Sequence, residues 1–366
     1  MKKILVALLM FACLTPWIHA QNSAAKTVVF LLPMNSGNVE KAVPANMREP
    51  KDIDNVFGRS LVGFWGGAQI AIDELATKGR HLNIIAKELN SNDEATLNAI
   101  FSETQVQKAN LIVAPVSKDM FPKVAALAQR YKIPVVNPLS NNSDIIAGNP
   151  FVYKMRPPAD ARPAILAQQF PDAHFIIWGK NEFANDYVNY FTANNISFKN
   201  IEEGSSFTSQ LNNDVENVVI ACTESINAYA QVANALALRS KLPTFHWVLP
   251  EKILNENGLD LTILSPFSIY FLSDFFVDEQ DESTKVFIDS FTKKYHTTPS
   301  LANFAYQGYD ATYFFIELIC NDFHIPKDFS PLVCQLKFKR LNKADGFENH
   351  GVRLVRLEHL HYSVIK

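Results

Sequence analysis

Four short stretches place hydroxyl, amide or carboxylate side chains directly after apolar runs. Ser117 follows 111–114, Ser140, Asn141 and Asn142 follow 133–136, Thr223, Glu224 and Ser225 follow 217–221, and Glu251 follows 245–249. Such groups bind more readily than they react: hydroxyls and amides donate and accept, and a carboxylate holds an ammonium group. Each also has an ordinary explanation as a turn or helix cap, and for Ser225 capping accounts for the residue at least as well as ligand contact. The stretch YKIPVVNPLSNNSD at 131–144 poses the choice most sharply. Its β-branched run suits a parallel strand covered on both faces, and the loop opening at Pro138 would then lie where open α/β sheets bind ligands.

Reaction machinery leaves recognisable spacings, and none is found. The chain has no G-x-S-x-G elbow, H-E-x-x-H, Walker loop or G-x-G-x-x-G after a strand, so no catalytic residue and no cofactor are expected. Gly63, Gly66 and Gly67 fall inside a helical pattern, where close helix packing explains them better than phosphate binding. His359 and His361 flank Leu360 in an apparent strand, but lack a third ligand nearby for a metal. Asp278, Glu279, Asp281 and Glu282 lack calcium-loop spacing and read as a solvated helix start.

The elements that must position the polar groups alternate regularly. Strand patterns at 27–32, 82–89, 111–114 and 133–136 are separated by helical patterns at 60–78, 93–107 and 118–131. In the first helix Leu61, Trp65, Ala68, Ile72 and Leu75 share one face. A second series runs from 174 to 249, after a crossover containing Pro157, Pro158 and Pro163. Helices at 284–295 and 304–321 and two strands at 336–338 and 352–358 complete the chain. Successive βα units require parallel sheets with helices on both faces, so the expected fold is α/β: two doubly wound parallel-sheet lobes joined by multiple hinge strands.

The 366 residues, 48% of them hydrophobic, are enough for two lobes. Residues 1–20 read as a signal peptide: Lys2 and Lys3, an apolar run from Ile4 to Leu14, then Pro16 and Ala20. Cleavage after Ala20 and acylation of Cys13 within a lipoprotein-like box are the two processing routes, the first fitting better because Phe11 suits the box poorly. Without Lys2 and Lys3 the 34 basic residues become 32, against 37 acidic ones, a formal charge of −5 that suits neither nucleic acid nor anionic lipid. No later segment is long and apolar enough to span a bilayer. Cys222, Cys320 and Cys334 are an odd, widely spaced set, read as buried free thiols, with a Cys320–Cys334 bridge as the alternative.

Six segments, GGAQIAIDEL (66–75), NLIVAPVS (110–117), YKIPVVNPLSNNS (131–143), NVVIACTESINAYAQVANAL (217–236), WVLPEKI (247–253) and FAYQGYDATYFFIELI (304–319), stand in an order that resembles type I periplasmic solute-binding proteins of the leucine/isoleucine/valine-binding class. The resemblance covers about 27–360 and implies an N-terminal lobe of 26–155 plus 280–333 and a C-terminal lobe of 156–279 plus 334–366. It implies that Ser117 and Ser140 hold a substrate carboxylate and that Glu251, in a Pro-Glu step, holds its ammonium. Asn141, Asn142, Thr223 and Glu224 are the remaining candidates. The family's Gly-Pro is here Ala114-Pro115 and its run of small residues is Leu139-Ser140-Asn141, differences that bear on the ligand and not on the cleft. The implied function is non-enzymatic: an exported periplasmic protein that captures an amino acid or short peptide for an ABC-type inner-membrane permease or a sensor. The alternative is an envelope scaffold or regulator of the same fold that binds a protein or cell-wall component.

Overall fold

The computed structural model describes residues 24–35, 53–90, 93–203, 207–237, 243–254, 261–264, 266–326 and 329–365. The signal region and Cys13 lie outside them. In the first sheet, β1 (Lys26–Leu32), β2 (Leu82–Glu88), β3 (Leu111–Val113), β4 (Val135–Asn137) and β5 (Val152–Lys154) are parallel. One face is covered by α2 (Glu94–Ser102), α3 (Thr104–Gln107) and α4 (Phe121–Tyr131), the other by α1 (Ile53–Thr77), α9 (Glu282–Tyr295) and α10 (Ala305–Cys320). Asp93 caps α2 by accepting from Thr96 N, and Asp281 caps α9, so the acidic run is the helix start its composition suggests.

The glycines of α1 are there for packing. A Cβ at Gly67 would lie 1.8 Å from the Ala305 carbonyl oxygen, and one at Gly308 of α10 would lie 2.0 Å from that of Phe64. The two helices therefore meet backbone to backbone.

The second sheet repeats the plan with β6 (His174–Trp178), β7 (Phe198–Ile201), β8 (Asn217–Ala221), β9 (Phe245–Val248) and β10 (Ser268–Ser273) parallel. α5 (Ala161–Gln169) precedes β6, and α6 (Glu182–Ala193), α7 (Ile226–Ala237) and the single turn α8 (Glu251–Leu254) run between the strands. Trp178, Trp247, Tyr229 and Phe207, each fully buried, pack edge-on or tilted as the centre of this core. β13 (Arg353–Glu358) and β14 (His361–Ile365) close the sheet as an antiparallel hairpin. His359 and Leu360, expected within a strand, form its two-residue turn with φ of 49° and 64°, the left-handed pair that type I′ turns require.

The C-terminal region departs from expectation. β11 (Phe338–Lys339) and β12 (Phe347–Asn349) belong to the first sheet, giving the order β11-β12-β5-β4-β3-β1-β2, whereas 334–366 reads from sequence as part of the second lobe. β12 runs parallel to β5, with the Phe347 ring stacked on Tyr153 at 4.6 Å and Glu348 paired to Lys154 at 2.9 Å. Only β13 and β14 join the second sheet, ordered β14-β13-β10-β9-β8-β6-β7.

Among the described residues three crossings link the lobes, at 155–160, 274–281 and 350–352. The first two leave the carboxyl ends of β5 and β10. The third runs from the end of β12 to the start of β13, where Arg353 pairs with Ser273. All three therefore join the carboxyl edges of the two sheets, which must face each other. The crossings are fastened by Asn349, whose amide donates to the Met155 and Gln335 carbonyls, and by Arg353, which donates to the Phe276 and Leu332 carbonyls. Buried Asp310 accepts from Leu332 N and Val333 N at 2.7 and 3.0 Å. The fold is α/β, two lobes each built on a largely parallel sheet.

Candidate functional site

On the second lobe, an open cavity of about 210 Å³ lies at the carboxyl edge of the sheet. The strand ends Ile220, Ala221, Val248 and Leu272 and the following Cys222 and Leu249 supply apolar lining. Phe183 and Tyr187 of α6 flank them, and Phe183 remains 52% exposed. Charge enters from Arg162 in the first turn of α5, Glu224, and Glu251 and Lys252 of α8.

Glu251 follows Pro250 and opens α8. Burial holds its carboxyl above the usual range and Asp274 adds to this, while a hydrogen bond with buried Ser273 and the charge of Arg162 oppose it. Burial likewise raises Asp186, against Arg162. Arg162 Nη2 donates to Asp274 Oδ1 at 2.6 Å, and Arg156 reaches the other oxygen at 3.3 Å. Burial pushes the Cys222 thiol up to about 12, so it offers no ready thiolate. The three described cysteines are free, and no group of three His, Cys, Asp or Glu among the described residues could hold a metal.

Of the residues expected from sequence, Glu224 and Glu251 share this cavity. Glu224 is an exposed rim group paired with Lys252 at 3.6 Å. Thr223 is buried: its hydroxyl oxygen accepts from Ser225 N at 3.1 Å and its carbonyl accepts from Tyr229 OH at 2.6 Å, so it shapes the turn. Ser225 accepts from Ala228 N at 3.3 Å, the capping role anticipated for it. Ser117, Ser140, Asn141 and Asn142 follow β3 and β4 on the first lobe and do not line the cavity. Ser140 Oγ accepts from Asn142 N at 3.2 Å, and Asn142 Oδ1 accepts from Asp144 N at 3.0 Å. The residue that turns the chain after β4 is Asn137, whose Oδ1 accepts from Leu139 N and Ser140 N at 3.1 and 3.0 Å. Asn141 is exposed, and Ser117 half-buried.

Sequence reasoning missed Arg162, Asn181, Phe183 and Tyr187. The rule that singled out the ends of β8 and β9 also applies to β6, whose following residues lead to Asn181 and Phe183. Arg162 stands inside the proline-rich crossover, where it reads as a solvated charge.

No protein-family model and no curated protein matches the chain. Solved structures do. A protein from Rhodospirillum rubrum assigned to branched-chain amino acid ABC transport superposes with a TM-score of 0.60 at 12% identity, covering 93% of this chain and 100% of that one. The chain has the type I periplasmic binding protein fold. A branched-chain amino acid ABC transporter periplasmic ligand-binding protein of Burkholderia xenovorans, at a TM-score of 0.51 and 14% identity, covers 93% of this chain and 94% of its own. LpoA of Haemophilus influenzae shares the type I fold at a TM-score of 0.56 and 12% identity, and this chain spans 58% of it. Among the described residues, no helix is long and apolar enough to cross a membrane.

Proposed function

We propose that this protein is an exported, periplasmic solute-binding protein that closes its lobes around a small amine-bearing ligand, an amino acid or short peptide, and presents the closed form to an ABC-type permease or a sensor. The observation that carries this is Glu251: a largely desolvated carboxyl at the mouth of a mainly apolar cavity on the edge where the hinge brings the lobes together. An ammonium group placed there would make a charge-assisted contact, with the ligand's apolar part against Val248, Leu249 and Leu272. Ser117 and Ser140 would supply the opposing carboxylate contacts when the lobes close.

A second reading, an envelope scaffold or regulator that binds a protein or cell-wall component, draws on the local turns that occupy the acceptors of Ser140, Asn142 and Thr223. A thermal-shift screen with amino acids, short peptides and muropeptides separates the two. Ligand at 100 times its dissociation constant adds about 2.7 kcal/mol to stability. Stabilisation by a free amino acid or peptide supports solute capture. Stabilisation by muropeptides alone, or by nothing in the panel, favours the second reading.

A further inference from the structure

We infer that Arg162 is a specificity-determining residue that pairs with a carboxylate of the ligand inside the second-lobe cavity, so that the ligand is an amine carrying an acidic side chain. This rests on the solute-binding reading above and narrows its substrate class.

Two guanidinium groups meet one carboxylate beside the cavity, and Glu251 and Asp186 also feel the charge of Arg162. Asp274, only 9% exposed, is a single carboxylate served by two guanidinium groups, Arg162 at 2.6 Å and Arg156 at 3.3 Å. Either arginine alone could neutralise it. Arg156 stands in the first crossing and leans over the Phe275 ring at 5.5 Å, which suits it to hold the hinge. Arg162 is on the cavity wall, with its side chain 26% exposed.

A guanidinium offers five N–H donors in a planar fork matched to carboxylates. Arg162 uses one nitrogen, Nη2, toward Asp274. Its Nε and Nη1 make no hydrogen bond to a described residue. The cavity thus offers unused donors of fixed positive charge beside Glu251, among mainly apolar walls that strengthen electrostatic contacts.

The two charges also divide the work. If Glu251 takes the ammonium and the first-lobe hydroxyls take the main carboxylate, a further acid on the ligand's second-lobe side meets Arg162. A neutral side chain there would leave the arginine's donors to water or bury them unpaired, which disfavours it.

Calorimetry with L-glutamate, L-glutamine and L-leucine, free and as the second residue of alanyl dipeptides, tests this, because glutamate and glutamine differ in charge at nearly constant shape. The wild type should bind the glutamate form about tenfold or more tighter than the glutamine form, the size of one desolvated charge-assisted contact. Arg162→Gln should bring that ratio near one with little effect on the glutamine form, and Arg162→Lys should keep part of it. The wild-type ratio needs no variant, so misfolding cannot obscure it. Equal wild-type binding of the two forms, preference for leucine, or an unchanged ratio in Arg162→Gln overturns the inference and leaves solute binding standing. Binding of none of these probes overturns the inference, and the thermal-shift screen then decides separately whether solute capture stands.

Discussion

Lys154 Nζ lies 2.9 Å from Glu348 Oε1, and the two side chains are 0% and 8% exposed. They sit opposite each other at the ends of β5 and β12, next to the first and third crossings, and Lys154 also donates to the Arg156 carbonyl at 2.6 Å. The first and third crossings are thus flanked by an ion pair from which water is nearly excluded. Breaking a buried pair by removing one partner strands the other charge. Lys154→Met or Glu348→Leu alone should destabilise the protein by about 3–5 kcal/mol, whereas the double variant should recover much of the loss. Chemical denaturation of the three variants checks this, and additive losses would show that the pair is not coupled.

The contact between α1 and α10 sets a second expectation. A Cβ on Gly308 meets the Phe64 backbone 2.0 Å away, and neither helix backbone yields cheaply. Gly308→Ala should destabilise the first lobe by about 3 kcal/mol or more, seen as a fall in melting temperature. A melting temperature unchanged within error would mean that the helices separate without cost.

Glu251 gives a pH signature. Its folded carboxyl is held above the usual range, chiefly by burial, so between the unfolded and folded pKa values the native state holds the proton more firmly than the unfolded chain. The stability this contributes is present below the unfolded value and lost as pH rises through the folded one. The difference in melting temperature between wild type and Glu251→Gln should therefore move against the wild type as pH climbs through that window. A difference flat with pH would place Glu251 in water.

The parallel sheets were legible because their strands are short, apolar and β-branched, as in Val218, Val219 and Ile220, and because helical stripes such as Leu61, Ala68 and Leu75 separate them. β5 was not: three residues long, it ends in a buried lysine whose partner Glu348 lies 194 residues away, so nothing local marks it as core. β12 was obscured for the same reason, with Glu348 and Asn349 buried by long-range partners. β10 carries the apolar run SIYFLS, a signal that finds it once the crossing after it is known. At the candidate site, the place of Glu251 on the cavity wall was legible because it follows a strand. The turn-forming duties of Ser140, Asn142 and Thr223 were not, because a side chain that binds a backbone amide looks in sequence like one that binds a ligand.

Solute capture through Glu251 is the central claim, and calorimetry on wild type and Glu251→Gln tests it most directly, using the amine that stabilises the wild type most in the thermal screen. Gln keeps the shape and removes the charge. Losing one partner of a desolvated charge pair costs about 2–5 kcal/mol, so affinity should fall more than tenfold while the melting temperature of the unliganded variant at neutral pH does not drop. Equal affinity in the two proteins would contradict the account, leaving Glu251 as an acid beside a turn.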